Sequence, residues 1–127
     1  MQVNELTEAI IGAAIEVHKQ TGAGLLESSY ERCLCHELEL RGIPFECQKQ
    51  LPLKYKGIEV ECGYRIDLLV CGAVVVEIKS VEKVLPIHEA QLLTYLRLGG
   101  WKVGLIINFD VEVLRLGIKR IVNQLPE

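Results

Sequence analysis

Residues 64–79 read Tyr-Arg-Ile-Asp-Leu-Leu-Val-Cys-Gly-Ala-Val-Val-Val-Glu-Ile-Lys. Two apolar runs meet at a Cys71-Gly72 turn, the pattern of a β-hairpin. The first run carries one acid, Asp67; the second carries Glu77 and Lys79, separated by Ile78. Side chains two apart on a strand share a face, so Glu77 and Lys79 point the same way. A charge inside such an apolar hairpin is costly unless it is paired or holds a metal.

The loop length decides whether Asp67 joins them. A two-residue loop sets Asp67 across from Val76. A three-residue loop, Cys71-Gly72-Ala73, pairs Val70 with Val74 and sets Asp67 across from Glu77, with Cβ atoms ~5 Å apart. Carboxylates that close repel unless a cation sits between them. The three-residue loop, or a bulge with the same effect, is the expectation. Asp67, Glu77 and Lys79 then form one cluster of two hard oxygen ligands and a cation.

Asp67 followed by Glu77-Ile78-Lys79 resembles the PD-(D/E)XK nuclease signature, with Ile66 where the named proline would stand. Gly24-Leu25-Leu26-Glu27-Ser28-Ser29-Tyr30 fits a GxxExxY pattern, and Gln91-Leu92-Leu93-Thr94-Tyr95 fits the QxxxY helix of RecB-like nucleases. Their order and spacing resemble the small GxxExxY proteins of that superfamily over nearly the whole chain.

The resemblance implies a metal-dependent nuclease hydrolysing phosphodiester bonds, in DNA. It implies Mg²⁺ or Mn²⁺ held by Asp67, Glu77 and the carbonyl of Ile78, with Glu27 as a direct or water-mediated ligand. Lys79 then orients the attacking water, Gln91 orients Lys79 or the scissile phosphate, and Tyr95 completes the catalytic set. The alternative is a nuclease-like nucleic-acid-binding or interaction module that no longer cuts.

The rest of the chain is read around this hairpin. Its 127 residues, half hydrophobic and a quarter charged, make one globular domain over 1–127. The net charge of −3 argues against indiscriminate nucleic-acid binding while leaving room for a local basic groove. No segment suits a membrane span and no signal-peptide pattern opens the chain, which predicts the cytoplasm. Five cysteines, an odd number, exclude a full disulfide framework. Their spacing is neither that of a zinc site nor that of an iron–sulfur cluster, so they are read as small buried hydrophobes.

Apolar residues at helical spacing predict a helix over 5–20, capped by Asn4 and ended by the glycines at 22 and 24. His18, near its end, either faces the helix carbonyls or lines the site, as the resemblance implies. A second helix is expected over 26–41, closed by Gly42. Glu27 in its first turn suits the helix dipole or, as the resemblance implies, reaches the acid cluster, with Tyr30 sharing its face as a substrate contact.

Strands are expected over 45–55 and 58–70, the latter bent near Gly63, with a turn at Lys56-Gly57. Lys49, Lys54 and Lys56 are either a solvated edge or a phosphate-contacting patch. A third helix over 87–98 places His88, Gln91 and Tyr95 on one side. A buried strand follows over 101–109, and short strands or a short helix over 111–125. The fold class is α/β: a restriction-endonuclease-like core, a mixed central sheet flanked by helices, and two N-terminal helices. A homodimer is also expected, because cutting two strands needs two such sites.

Overall fold

A computed structural model of the chain describes residues 1–60 and 63–124. The elements run α1 (Val3–Thr21), α2 (Glu27–Leu40), β1 (Phe45–Gln50), β2 (Leu53–Tyr55), β3 (Ile58–Val60), β4 (Arg65–Val70), β5 (Val74–Lys79), α3 (Pro86–Gly99), β6 (Val103–Asn108) and β7 (Ile118–Val122). A 3₁₀ turn over Leu114–Gly117 precedes β7. The main sheet has strand order β1-β4-β5-β6-β7. Among the described residues only the β5–β6 pair is parallel, and α3 makes that crossover. The fold is α/β with a mixed five-stranded sheet, consistent with a restriction-endonuclease-like core.

The sheet carries a core on each face. Leu6, Ile10, Val17, Tyr30, Leu34 and Leu38 of α1 and α2 pack with Leu68, Val70, Val74, Val76 and Ile78. Leu92, Tyr95 and Leu96 of α3 pack with Ile66, Leu69, Val75 and Ile106 on the other. β5 and β6 are apolar along nearly their whole length because both faces are covered.

The hairpin has the three-residue loop: Val70 pairs with Val74, Leu69 with Val75 and Leu68 with Val76. Cys71 and Gly72 both take positive φ there, 52° and 65°. The paired ladder stops at Leu68 and Val76.

Several expectations change. α1 starts at Val3 with Gln2 at the N-cap position, so Asn4 lies inside the first turn; its side-chain oxygen instead accepts a 2.8 Å bond from Arg120. The strand expected over 45–55 breaks at Leu51-Pro52, where proline cannot donate to a ladder, and Leu51 turns to bond the Tyr64 carbonyl. The strand expected over 58–70 also divides. β3 pairs with β2 in a separate two-stranded ribbon across Lys56-Gly57, whose positive φ at both residues suits a tight hairpin. Residues 61 and 62 of that expected strand, with Cys62, lie outside the described residues, as do 125–127. Cysteine burial holds only in part: Cys33 and Cys35 are half-buried against the core, whereas Cys47 and Cys71 are exposed.

Candidate active site

The site is built where β4 and β5 part. Beyond Leu68, the Asp67 side chain takes over from the ladder: its Oδ2 accepts the Ile78 N–H at 2.8 Å. The Asp67 N–H in turn donates to Glu77 Oε1 at 3.3 Å. The residues expected to face each other are therefore joined by side chains instead of backbone. The alternation of β4 breaks at the same point. Leu68 and Val70 face α1 and α2, yet Ile66 joins the core under α3.

Asp67 lines a cleft of about 250 Å³ with Glu27, Ser28, Glu31, Gln48 and Ile78. Glu27 reaches it because of the turn before α2. Gly22 and Gly24 take positive φ, and the Tyr30 hydroxyl donates to the Gly22 carbonyl at 2.6 Å while accepting the Leu25 N–H at 3.1 Å. Tyr30 stacks on Phe109 with ring centroids 4.3 Å apart, and the Phe109 N–H bonds the Lys79 carbonyl. Ser80 Oγ also bonds the Leu25 carbonyl at 2.7 Å. The GxxExxY stretch is thus a clamp that seats Glu27 at the end of β5. Asn108 fixes the chain beyond, bonding both the N–H and the C=O of Val81.

Glu77 and Lys79 do not line that cleft. Val74, Val76 and Ile78 face α1 and α2, so alternation turns Glu77 and Lys79 toward the α3 face. The groups expected in one cleft form two adjoining sets, with Asp67 at the opening between them. Glu77 is only 9% exposed, and burial, then the charge of Asp67, push its carboxyl up to about 8, the nearby Lys79 offsetting only part of this. Among the described residues, the ion pairs are Arg41–Glu37, Lys49–Glu46 and Arg115–Glu8, so neither acid has a salt-bridge partner.

Other expected site residues have different places. Tyr30, expected as a substrate contact, is fully buried with its hydroxyl engaged in the clamp. His18 Nε2 donates to the Val111 carbonyl at 2.8 Å, tying α1 to the segment after β6; it neither faces its own helix carbonyls nor lines the cleft. Lys49 pairs with Glu46 on edge strand β1, and Lys54 lies across from Glu59 in the separate ribbon, so the two do not share a sheet. Gln91 is exposed on α3, while Tyr95, one turn later, is buried with its ring 6.1 Å from that of Tyr64. His88 Nδ1 accepts the Leu85 N–H and closes the start of α3.

Two residues of the cleft were not anticipated. Glu31 follows Glu27 by one helical turn, a spacing that puts both on one face and that the sequence displays. Gln48 gives no such signal. It sits in β1 with φ 50°, where the β1–β4 ladder skips the Gln48–Asp67 position. Its amide donates to Glu31 at 2.6 Å and to Asp67 at 3.4 Å. Burial raises the Glu31 carboxyl, the Gln48 bond opposes this, and the Asp67 charge adds to it.

Among the described residues, no three His, Cys, Asp or Glu side chains are gathered to enclose a metal. Mg²⁺ asks for less, because it keeps several waters and is held by one or two carboxylates. Asp67 and Glu27 supply hard oxygens on the cleft. A residue's N–H and C=O point to the same side of a strand, so the Ile78 carbonyl faces the same opening as its N–H. This donor set fits a hydrated divalent cation.

No curated protein and no solved structure matches the chain. No helix among the described residues is long and apolar enough to cross a membrane. The family model of the PD-(D/E)XK nuclease superfamily matches residues 4–121, which include the clamp, the parted hairpin and α3, and the chain belongs to that superfamily.

Proposed function

We propose that the chain is a single-domain, divalent-metal-dependent nuclease that hydrolyses phosphodiester bonds in DNA, of the RecB-like GxxExxY type. Its four described free thiols suit a reducing compartment, the cytoplasm. The observation that carries the reading is the parting of β4 and β5. There a buried Glu77 carboxyl meets Asp67, and neither has a salt-bridge partner among the described residues. A purely structural pair of acids would be a standing cost.

Asp67, Glu27 and the Ile78 carbonyl would hold the cation, with Glu77 as the further acid beside Asp67. When bound, Mg²⁺ or Mn²⁺ lowers the pKa of a coordinated water and offsets charge on the phosphoryl oxygens. Lys79 orients the attacking water and stabilises the developing negative charge. Gln91 steadies Lys79 or the scissile phosphate from the α3 face. Tyr95 supports Gln91 from the core beneath it. Two copies of the chain would supply the two sites that double-strand cutting needs.

The second reading is a nuclease-like module that binds without cutting. Charge favours it: the chain carries −3, and Lys49 and Lys54 each lie against an acid. Heat denaturation during a Mg²⁺ or Mn²⁺ titration separates these readings from a structure without a metal site. Metal that binds the folded state raises its melting temperature. A rise is expected; a flat response at millimolar metal rejects both the enzyme and a metal-holding module. Cleavage of linear, nicked and branched DNA then tells the enzyme from the module.

A further inference from the structure

α2 and β1 face each other beside the cleft, and each presents a thiol at the contact. Cys35 follows Glu31 by one helical turn, so the two share a helix face. Cys47 immediately precedes Gln48 and lies two residues after Phe45. By strand alternation it points to the same face as Phe45, which packs against the core under α1 and α2 together with Cys35. The 2.6 Å bond from Gln48 to Glu31 joins the same two elements one step away. Cys47 lies opposite Leu68 in the β1–β4 ladder, and Leu68 belongs to the same core that Cys35 packs against. Cys47 is exposed at an edge strand, whereas Cys35 is half-buried.

We propose that Cys35 and Cys47 are a reversible disulfide site that staples α2 to β1. The proposal stands apart from the nuclease reading, since it concerns the wall of the cleft and not its chemistry. Cys47 is the attacking sulfur because an oxidant can reach it. With a peroxide, the Cys47 thiolate takes an oxygen to give the sulfenic acid and the peroxide leaves as water. The Cys35 sulfur then attacks that sulfenic sulfur, loses its proton and releases a second water. With a small-molecule disulfide, Cys47 first forms the mixed disulfide, and Cys35 displaces the second small thiol. In both cases the protein loses two electrons and two protons.

The partners are matched to these roles. Burial, with the nearby Cys47 and Glu31, pushes the Cys35 thiol up to about 12, so it is a poor first nucleophile and serves as the resolving sulfur. The ring closed by the bond spans the end of α2 and the turn into β1, residues that are unconstrained in the unfolded chain. Closing it limits the unfolded state and holds Glu31 and Gln48 in register.

The test uses the full chain with Cys33→Ser, so that α2 offers a single thiol. The protein is treated with oxidised glutathione or hydrogen peroxide and cut with trypsin without reductant. Trypsin separates the thiols, because Arg41 lies between them and Lys49 follows Cys47. The expected product is lighter by two hydrogens and links the Cys35 peptide to the Cys47 peptide. It melts several degrees higher and reverts with dithiothreitol. Cys47→Ser gives no such product, and Cys35→Ser stops at the glutathione adduct on Cys47. A Cys47 adduct that persists with Cys35 present overturns the proposal. So does linkage of Cys47 to Cys71 or Cys62, or a lower melting temperature for the oxidised form.

Discussion

The two walls of the site are built on opposite principles. The strand wall, Asp67 and Glu77, is set into the sheet: Glu77 is nearly inaccessible and both acids are tied to the backbone of the neighbouring strand. The helix wall, Glu27 and Glu31, stands at the solvent edge, with Glu31 tethered to the Gln48 side chain. An ionised acid in the strand wall costs folding free energy, whereas one in the helix wall costs little. Cation binding should therefore be coupled to stability through the strand wall and merely tuned by the helix wall.

The largest effect expected from breaking that asymmetry is at Asp67. Asp67→Asn leaves an oxygen to accept the Ile78 N–H but removes the charge. Cleavage should fall by roughly 10²-fold or more, with loss of metal affinity. The metal-free protein should keep its stability or gain some at pH 8, since the charge that opposes Glu77 ionisation is gone. Lys79→Ala should lose cleavage to a similar degree yet still bind metal, because the lysine serves the transition state. A large drop in the melting temperature of metal-free Asp67→Asn would make Asp67 a structural partner and give the non-cutting module the better claim.

The next effect is the pH dependence that Glu77 imposes. Its carboxyl is raised from 4.5 to about 8 in the folded protein. Between those values the folded state binds more protons than the unfolded one, so stability falls as pH rises. The stabilisation is fully present below about pH 4.5 and is lost as pH rises through about 8. With one unit worth about 1.4 kcal/mol, the whole change is on the order of a few kcal/mol. Urea denaturation of the metal-free protein should show this slope, and Glu77→Gln should flatten it. An equally steep slope in Glu77→Gln would assign the titration elsewhere. Mn²⁺ should raise the melting temperature more at pH 8 than at pH 6, because protons and metal compete for the acids.

The strand wall was the legible half. Apolar alternation, one turn and two misplaced acids led to the Val70–Val74 register and to Asp67 beside Glu77. The helix wall was half legible: Glu27 came from its motif, and Glu31 was visible only as a residue one turn on. The break at Leu51-Pro52 has a signal in the sequence, because a proline without an N–H favours division of the strand expected over 45–55. Tyr30 is a different case, with its hydroxyl holding the turn before α2. A motif marks a residue as needed without saying whether it touches substrate or holds the turn that does. Strand pattern likewise sent Glu77 and Lys79 to one face but could not show that Asp67 would end on the other side of the opening.

The smallest effect concerns Gln48, where neither propensity nor pattern gave warning. A non-glycine residue at φ 50° costs roughly 1–2 kcal/mol, and this one lies in a strand. Its amide bonds an acid at 2.6 Å, an interaction that offsets part of that cost. Gln48→Ala and Gln48→Gly both remove the amide, but only glycine relaxes at positive φ. Gln48→Gly should therefore be more stable than Gln48→Ala by about 1 kcal/mol, read by urea denaturation at one pH. The comparison isolates the backbone, because the lost side-chain bonds cancel. If the two variants are equally stable, the kink does not outlast the amide. The pull of Glu31 and Asp67 on Gln48 would then be what bends β1, and the helix wall would shape the sheet instead of resting on it.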